Sequence, residues 1–304
     1  MMRISSTQYH TTMNTALQKA SYRLEDILQK MASGEKYSLP SEHPVTTVRM
    51  SRLYREEAAL DQYRDNSSAL QSRLTQNEVY LNSMSDDMLS VRDLLVWAGD
   101  GSNTSEDVSA MAQSLQPLLD SMFYVTNSSD AEGRYIFSGT AVASPTVSYD
   151  ATAPVGSRYT FTGNTEAQRV AVGPGVTQPS NVTLPEMAGM LNQLERVLTT
   201  LQTPGVNVND PAVRADITAA MDSLDEVIES ISGRIAGLGG AQNILATLET
   251  SHANVSLSNK QAALTLGQLD YSDAAVKLNG YTTAVQATQK AYAQVSKLSL
   301  FDAI

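Results

Sequence analysis

The sequence predicts a mainly α protein: a long antiparallel coiled-coil or helical-bundle rod formed by the N- and C-terminal segments, with a small β-rich insertion at the tip. Three observations predict this fold class. Apolar residues recur at alternating steps of three and four over most of the chain, which is the spacing of one helix face. The central segment instead has frequent Gly and Pro and alternating polar and apolar residues. Both ends of the chain carry an amphipathic helical pattern, so they can pair with each other.

The N-terminal segment carries the first helical face. Its apolar repeat ends at Ser33-Gly34, a pair typical of a helix end. Pro40 and Pro44 bracket a polar stretch, so GEKYSLPSEHP is predicted to be a connector. We expect the apolar face before this connector to be an assembly interface. Its candidate residues are Met13, Leu17, Leu24, Ile27 and Met31.

A second, longer helix is predicted to start after Pro44. Its apolar positions keep one helical spacing from Leu53 to Leu95, interrupted by the polar residues Ser67 and Asn77. Such periodicity over residues 46–98, without a cap, indicates a coiled coil or a long bundle helix.

The turn AGDGSN separates this helix from the next one. Thr104 or Ser105 can cap the new helix, whose apolar repeat runs to Val125. Pro117 lies inside it and is predicted to kink or split it, because proline cannot donate the backbone hydrogen bond.

The segment from Tyr135 to about Thr183 is predicted to be a β-rich insertion. Gly and Pro become frequent there. Within it, SRYTFTG and QRVAVG alternate polar and apolar residues, so we expect them to be the two arms of a hairpin.

Helix is predicted to return over residues 187–201, to stop at Pro204-Gly205 and to restart at Asp210-Pro211. From Ile217 to Leu269 one spacing continues, which predicts a second very long helix. The motif GRIAGLGG within it lacks the strand and the Lys-Ser/Thr of a phosphate-binding loop. We attribute its glycines to close approach between two helices.

The C-terminal repeat is displaced by two residues from the preceding one, which predicts a segment boundary near Gly267 to Tyr271. Its apolar face is the second candidate assembly interface, and the chain end KLSLFDAI extends it. The candidate residues are Tyr271, Leu278, Val285, Tyr292, Val295, Leu298, Leu300 and Phe301.

Three domains follow from these boundaries. We expect a terminal helical assembly domain over 1–44 and 268–304, a long helical rod domain over 45–134 and 185–267, and a small β-rich inserted domain over 135–184. The termini then pair, because long helix lies inside each of them.

Composition excludes several function classes. A net charge of -11 with no local Lys/Arg cluster disfavours nucleic acid and anionic membranes as partners. No window is apolar enough for membrane insertion, and the N-terminus lacks the apolar region of a cleaved signal peptide. There are no cysteines, and His10, His43 and His252 lie on different predicted elements. We expect no catalytic residues, no metal and no cofactor, and therefore no enzyme.

Six blocks of the sequence are similar, in the same order, to those of a known protein family. Together they resemble the flagellin-like axial proteins of bacterial flagella, and within that family the branch at the hook-filament junction. The family usually has two acids before its second connector proline, where this chain has Glu42-His43. The blocks are MRISS at 2–6, MASGEKYSLPSEHP at 31–44, NSSDAEGRYIFSGT at 127–140, LGGAQNILATLE at 238–249, LDYSDAA at 269–275 and KLSLFDAI at 297–304.

The resemblance implies a structural role without chemistry. It implies export of the unfolded chain by the flagellar type III apparatus, from the cytoplasm to the extracellular axial structure. It implies a ring of copies assembled through the terminal helices, between hook-associated protein 1 and flagellin, and an export chaperone that binds the C-terminal region.

Two alternatives remain from the sequence. The same architecture serves a filament-forming flagellin. A cytosolic coiled-coil adaptor, from a different functional class, is compatible with the missing signal peptide and the acidic composition.

Overall fold

A computed structural model describes the backbone of residues 2–301 and the side chains of residue 8 and residues 10–294. Within this range the chain forms mostly α-helix with two small antiparallel sheets, which confirms the predicted mainly α fold with a small β insertion. The helices are α1 (Met2–Ser33), α2 (Pro44–Ala98), α3 (Ser105–Thr126), α4 (Met187–Leu201), α5 (Pro211–Gly267) and α6 (Tyr271–Phe301), and the strands are β1 (Val147–Tyr149), β2 (Tyr159–Phe161), β3 (Arg169–Gly173) and β4 (Val176–Pro179).

The chain divides into two compact units. Unit 1 comprises Met1–Ala59 and Ala253–Ile304, and unit 2 comprises Leu60–His252. Both α2 and α5 contribute residues to each unit. The segment boundary predicted near Gly267 to Tyr271 is confirmed, because α5 ends at Gly267 and α6 begins at Tyr271.

The hydrophobic core of unit 2 comes from α2, α3, α4 and α5. Buried residues on α2 and α3 repeat at alternating three- and four-residue steps, so each helix presents one apolar face to its neighbours. α4 packs on α3 and on β2. Fully enclosed core side chains include Leu74, Leu81, Met84, Met88, Leu95, Leu115, Leu119, Met122, Phe137 and Met190.

α3 begins at the predicted N-cap, but Pro117 does not split the helix. Thr104 and Asp107 form a reciprocal capping box at the N-terminus. The helix is continuous from Ser105 to Thr126 with Pro117 inside it. Proline removes only one backbone hydrogen bond, and the buried side chains Leu115 and Leu119 hold the two flanking turns against the core.

The strand pairing predicted for the insertion is wrong. The segment SRYTFTG contributes β2, which pairs with β1, while QRVAVG contributes β3, which pairs with β4. Each sheet is therefore a local two-stranded hairpin. Gly175 turns the second one with a positive φ of 71°.

Within unit 2 the insertion contacts α2: the Asn66 side chain donates to the Ala171 carbonyl at 2.8 Å, and Tyr80 contacts Phe137 edge-on. The connector after α2 contacts the connector before α5, where the Asn209 side chain donates to the Gly101 carbonyl at 3.0 Å.

The glycines of GRIAGLGG do not bring two helices of this chain together, so the role predicted for them is wrong. A Cβ added at Gly233, Gly237, Gly239 or Gly240 would have no neighbouring atom within 4 Å. All four lie within the continuous helix α5. They leave a bare stretch of helix surface rather than a close contact.

The first insertion hairpin is tied to α4 by the buried carboxylate of Glu195, which is 7% exposed. Arg158 Nη1 donates to it at 3.1 Å, and the Gly156 backbone N–H donates at 3.1 Å. We predict that Glu195→Ala lowers the free energy of unfolding of unit 2 by about 2–3 kcal/mol, because both donors lose their acceptor while Arg158 keeps some water contact.

Denaturant unfolding followed by circular dichroism measures this effect. Glu229→Ala, at an exposed position on α5, is the matched control and should change the unfolding free energy by less than about 0.5 kcal/mol. Equal effects of the two substitutions would contradict the role given to Glu195.

Candidate assembly interface

Residues 34–36 pair with residues 267–269 through their backbones, and this pairing is here called the joint. The Lys36 N–H donates to the Gly267 carbonyl at 2.7 Å, and the Leu269 N–H donates to the Gly34 carbonyl at 2.9 Å. Gly34 ends α1 with a φ of 74°, a conformation that favours glycine. The joint places the end of α1 beside the start of α6.

Helices α1 and α6 pack against each other from the joint outward. Near the joint, the Tyr271 hydroxyl donates to the Met31 carbonyl at 3.2 Å. Far from it, the rings of His10 and Tyr292 meet edge-on with centroids 5.6 Å apart. The two helices carrying the predicted interface residues are therefore paired along most of their length.

The pairing of α1 with α6 buries the predicted interface residues to different extents. Ile27 is buried at 5% exposure, whereas Tyr271 is 51% exposed. Ala274, on the same face of α6 but absent from the candidate set, is fully buried, because a small side chain fits where the helices are closest. The side chains of Val295, Leu298, Leu300 and Phe301 lie outside the described residues. Partly buried are Met13, Leu17, Leu24, Met31, Leu278, Val285 and Tyr292.

Unit 1 thus has very little closed apolar core. Among its described residues, Ile27 and Ala274 are the buried apolar side chains, whereas unit 2 buries several tens. Large apolar side chains remain exposed on α1, on α6 and around the joint. They include Tyr22, Leu28, Leu39, Tyr54, Leu264 and Val276. Sequence periodicity could not identify Leu39, which lies in the connector, or Tyr54, which lies off the main apolar face of α2.

The sequence and the fold of this chain are similar to those of several known proteins. The sequence profile of the bacterial flagellin N-terminal helical region matches residues 4–142, which include all of α2 and α3 and all but the first two residues of α1. Over 313 aligned residues the chain is 22% identical to flagellar hook-associated protein 3 of Salmonella typhimurium, and the alignment covers 99% of each chain.

The chain is a homologue of flagellar hook-associated protein 3. Its resemblance to the flagellin-like axial proteins is confirmed. A solved structure described as a flagellar hook-associated protein of Vibrio parahaemolyticus is 28% identical, covers 74% of this chain and 99% of its own, and superposes with a TM-score of 0.67. The flagellar junction protein FlgL of Legionella pneumophila, at 14% identity, shares the fold with a TM-score of 0.56 and covers 71% of this chain and 99% of its own.

The relatives and solved structures to which the chain is similar are structural proteins of the flagellum. Within the described part of the chain, no helix is long and apolar enough to cross a membrane. Across the same residues, no group of three or more His, Cys, Asp or Glu side chains could hold a metal ion.

Charge is divided unevenly between the two units of this flagellin-like chain. Unit 1 has 12 Lys and Arg against 9 Asp and Glu, a net charge of +3, and it contains every lysine. Unit 2 has 9 Arg and no Lys against 23 Asp and Glu, a net charge of -14. Copies placed side by side therefore repel each other far more through unit 2 than through unit 1.

An ion pair fixes the connector to α1. Lys30 donates to Asp26 and to Glu42 at 2.9 Å each. Burial lowers the pKa of Lys30, but hydrogen bonds and charge attraction from the two carboxylates outweigh burial and raise its pKa above the ordinary value. Glu42, the acid kept at the position where this chain departs from the family pattern, thus holds the connector against α1.

His43, the residue that replaces an acid, caps α2. The Thr46 backbone N–H donates to its Nδ1 at 3.3 Å, and the Thr46 hydroxyl lies 2.7 Å from the same atom. The ring also stacks on Tyr37 with centroids 5.2 Å apart. Because Pro44 is the first residue of α2, His43 occupies the N-cap position and supplies the acceptor that an aspartate supplies elsewhere.

We predict that His43→Ala destabilises the first turn of α2 by about 1 kcal/mol, because the Thr46 N–H loses its acceptor. His43→Asp should equal or exceed the wild type, because a carboxylate accepts the same bond and its charge suits a helix N-terminus. Hydrogen exchange of the amides of residues 46–48 measures both. If the wild type and the Ala variant exchange equally fast, the ring does not act as a cap.

Proposed function

We propose that this chain is a structural subunit of the flagellar hook-filament junction. In this proposal a ring of copies lies between hook-associated protein 1 and flagellin, and the copies assemble through α1 and α6. One observation carries it: a chain homologous to hook-associated protein 3 over nearly its full length pairs its two terminal helices and leaves them almost without a closed core.

Physical arguments support assembly through unit 1. Two paired helices bury apolar residues on one side only, so their stability depends on further packing. The exposed side chains of α1, α6 and the joint offer that packing to neighbouring subunits. The strongly acidic unit 2 disfavours close contact between copies, which leaves unit 1 as the surface for it.

The proposal divides the chain by task. The terminal segments 1–44 and 268–304 form the assembly domain, and Met13, Leu17, Leu24, Ile27, Met31, Tyr271, Leu278, Val285, Tyr292, Val295, Leu298, Leu300 and Phe301 form its interface. The segments 45–134 and 185–267 form the rod, and 135–184 form the β-rich inserted domain.

Export of the unfolded chain completes the proposal. The chain passes from the cytoplasm through the flagellar type III apparatus, and a chaperone holds its C-terminal region beforehand. The small core of unit 1 supports this route, because such a segment stays unfolded until it meets partners. The absence of cysteine supports it too, because no disulfide has to be broken.

A filament-forming flagellin is the second candidate, favoured by the match of residues 4–142 to the flagellin N-terminal region. Purified protein that polymerises alone into long filaments would favour this alternative over the junction.

We predict that a labelled copy of the protein is found at the hook-filament boundary. Immunogold microscopy of purified hook-filament complexes measures its position. Label along the whole filament would instead indicate a flagellin, and protein confined to the cytosol would indicate the coiled-coil adaptor.

We predict that deletion of residues 298–304 leaves unit 2 folded but prevents stable incorporation into flagella, because the chain end then lacks Leu298, Leu300 and Phe301. Circular dichroism of the purified variant and its amount in sheared flagella are the two measurements. The double substitution Ser299→Ala and Asp302→Asn, at polar positions of the same segment, is the control. Full filaments assembled with the truncated chain would show that this tail has no role in assembly.

A further inference from the structure

A buried polar residue interrupts the apolar face of α2 inside unit 2. Asn77 is 1% exposed and lies between Leu74 and Leu81, which are equally buried. Neither its Oδ1 nor its Nδ2 has a hydrogen-bond partner in the described chain. An amide buried without partners lowers the stability of the fold where it lies.

The stretch of α5 at the same level is weak for a separate reason. The Gln242 side chain donates to Glu78, the neighbour of Asn77, at 2.8 Å, which places the two helices in register there. Directly before Gln242, α5 contains Gly237, Gly239 and Gly240, and no atom of the protein would contact a Cβ added to them. Glycine inside a helix lowers its stability because it costs more backbone entropy than alanine.

The structure on the N-terminal side of this stretch is held more firmly. Glu186, at the start of α4, accepts from the Ser230 hydroxyl and from Arg234 Nη2 at 2.7 Å each. Arg92 on α2 donates to Asp225 on α5 at 2.8 Å. In the same part of α5 the core side chains Leu224 and Ile231 are fully buried.

We propose that Asn77 and residues 237–242, here called the weak layer, form the point at which unit 2 opens first. Two independent features lower the stability of the weak layer: a buried amide without partners on α2 and a glycine-rich helical turn on α5. Local opening there separates α2 from α5 without first breaking the better packed region of residues 84–95 and 217–231. In a further step that rests on the proposed function, this opening lets the folded rod unfold for export.

Hydrogen exchange of the full-length protein, followed by mass spectrometry, tests the opening. Peptides covering 74–80 and 237–242 should exchange at least about tenfold faster than peptides covering 84–95 and 217–231. Uniform exchange across these peptides would overturn the proposal.

Substitutions test the cause. Asn77→Leu should slow exchange in the weak layer about tenfold, and the double variant Gly237→Ala and Gly240→Ala should do the same without altering the core. Gly189→Ala on α4 is the matched control, because Gly189 is also exposed and without neighbours within 4 Å, and it should leave the weak layer unchanged. If the glycine variant exchanges like the wild type, the glycines do not weaken the layer.

The export step has its own measurement. The amount of protein in the culture medium should fall severalfold for the two stabilised variants and stay constant for Gly189→Ala. Equal export of all variants would overturn the link between the weak layer and export. A wild-type chain that is not exported at all would overturn the proposed function, and the exchange experiment would still decide whether the layer opens first.

Discussion

The pairing of residues 34–36 with residues 267–269 is the interaction on which the terminal part of the protein depends. Its two backbone hydrogen bonds join segments more than two hundred residues apart and fix where α1 ends and α6 begins. From this pairing α1 and α6 pack against each other, and each amphipathic helix alone would be marginal in water. Gly34 makes the pairing possible, because its positive φ turns the chain out of α1 directly into the joint.

The two units bury their apolar residues to different extents. Unit 2 closes a core from four helices and two hairpins, so it has the interactions needed to fold by itself. Unit 1 pairs two helices and leaves large apolar side chains exposed, and exposed apolar surface of this kind is typical of sites that bind other proteins. The charge follows the same division, since the closed unit is strongly acidic and the open unit is slightly basic. In the proposed function, folding and assembly therefore belong to different parts of one chain.

Individual polar side chains stabilise particular contacts within the two units. His43 caps α2 through Nδ1, while Glu42 binds Lys30 and holds the connector. Glu195 accepts from Arg158 and Gly156 and fastens a hairpin to α4. Asn77 has no such partner, so the two buried polar side chains of unit 2 named here, Glu195 and Asn77, differ in whether their hydrogen bonds are satisfied.

The sequence by itself determined the helices, the joint region and the family resemblance, because apolar periodicity, Gly34, Pro44 and the Thr104 cap act over a few neighbouring residues. Only the tertiary structure decided which strands pair and that the insertion lies beside α2, because alternation in a strand does not specify its partner. It also decided that α3 continues through Pro117, that Ala274 is buried while Tyr271 is exposed, and that the glycines of α5 contact nothing. These outcomes depend on which distant side chains fill the neighbouring space, and that information is not contained in local spacing.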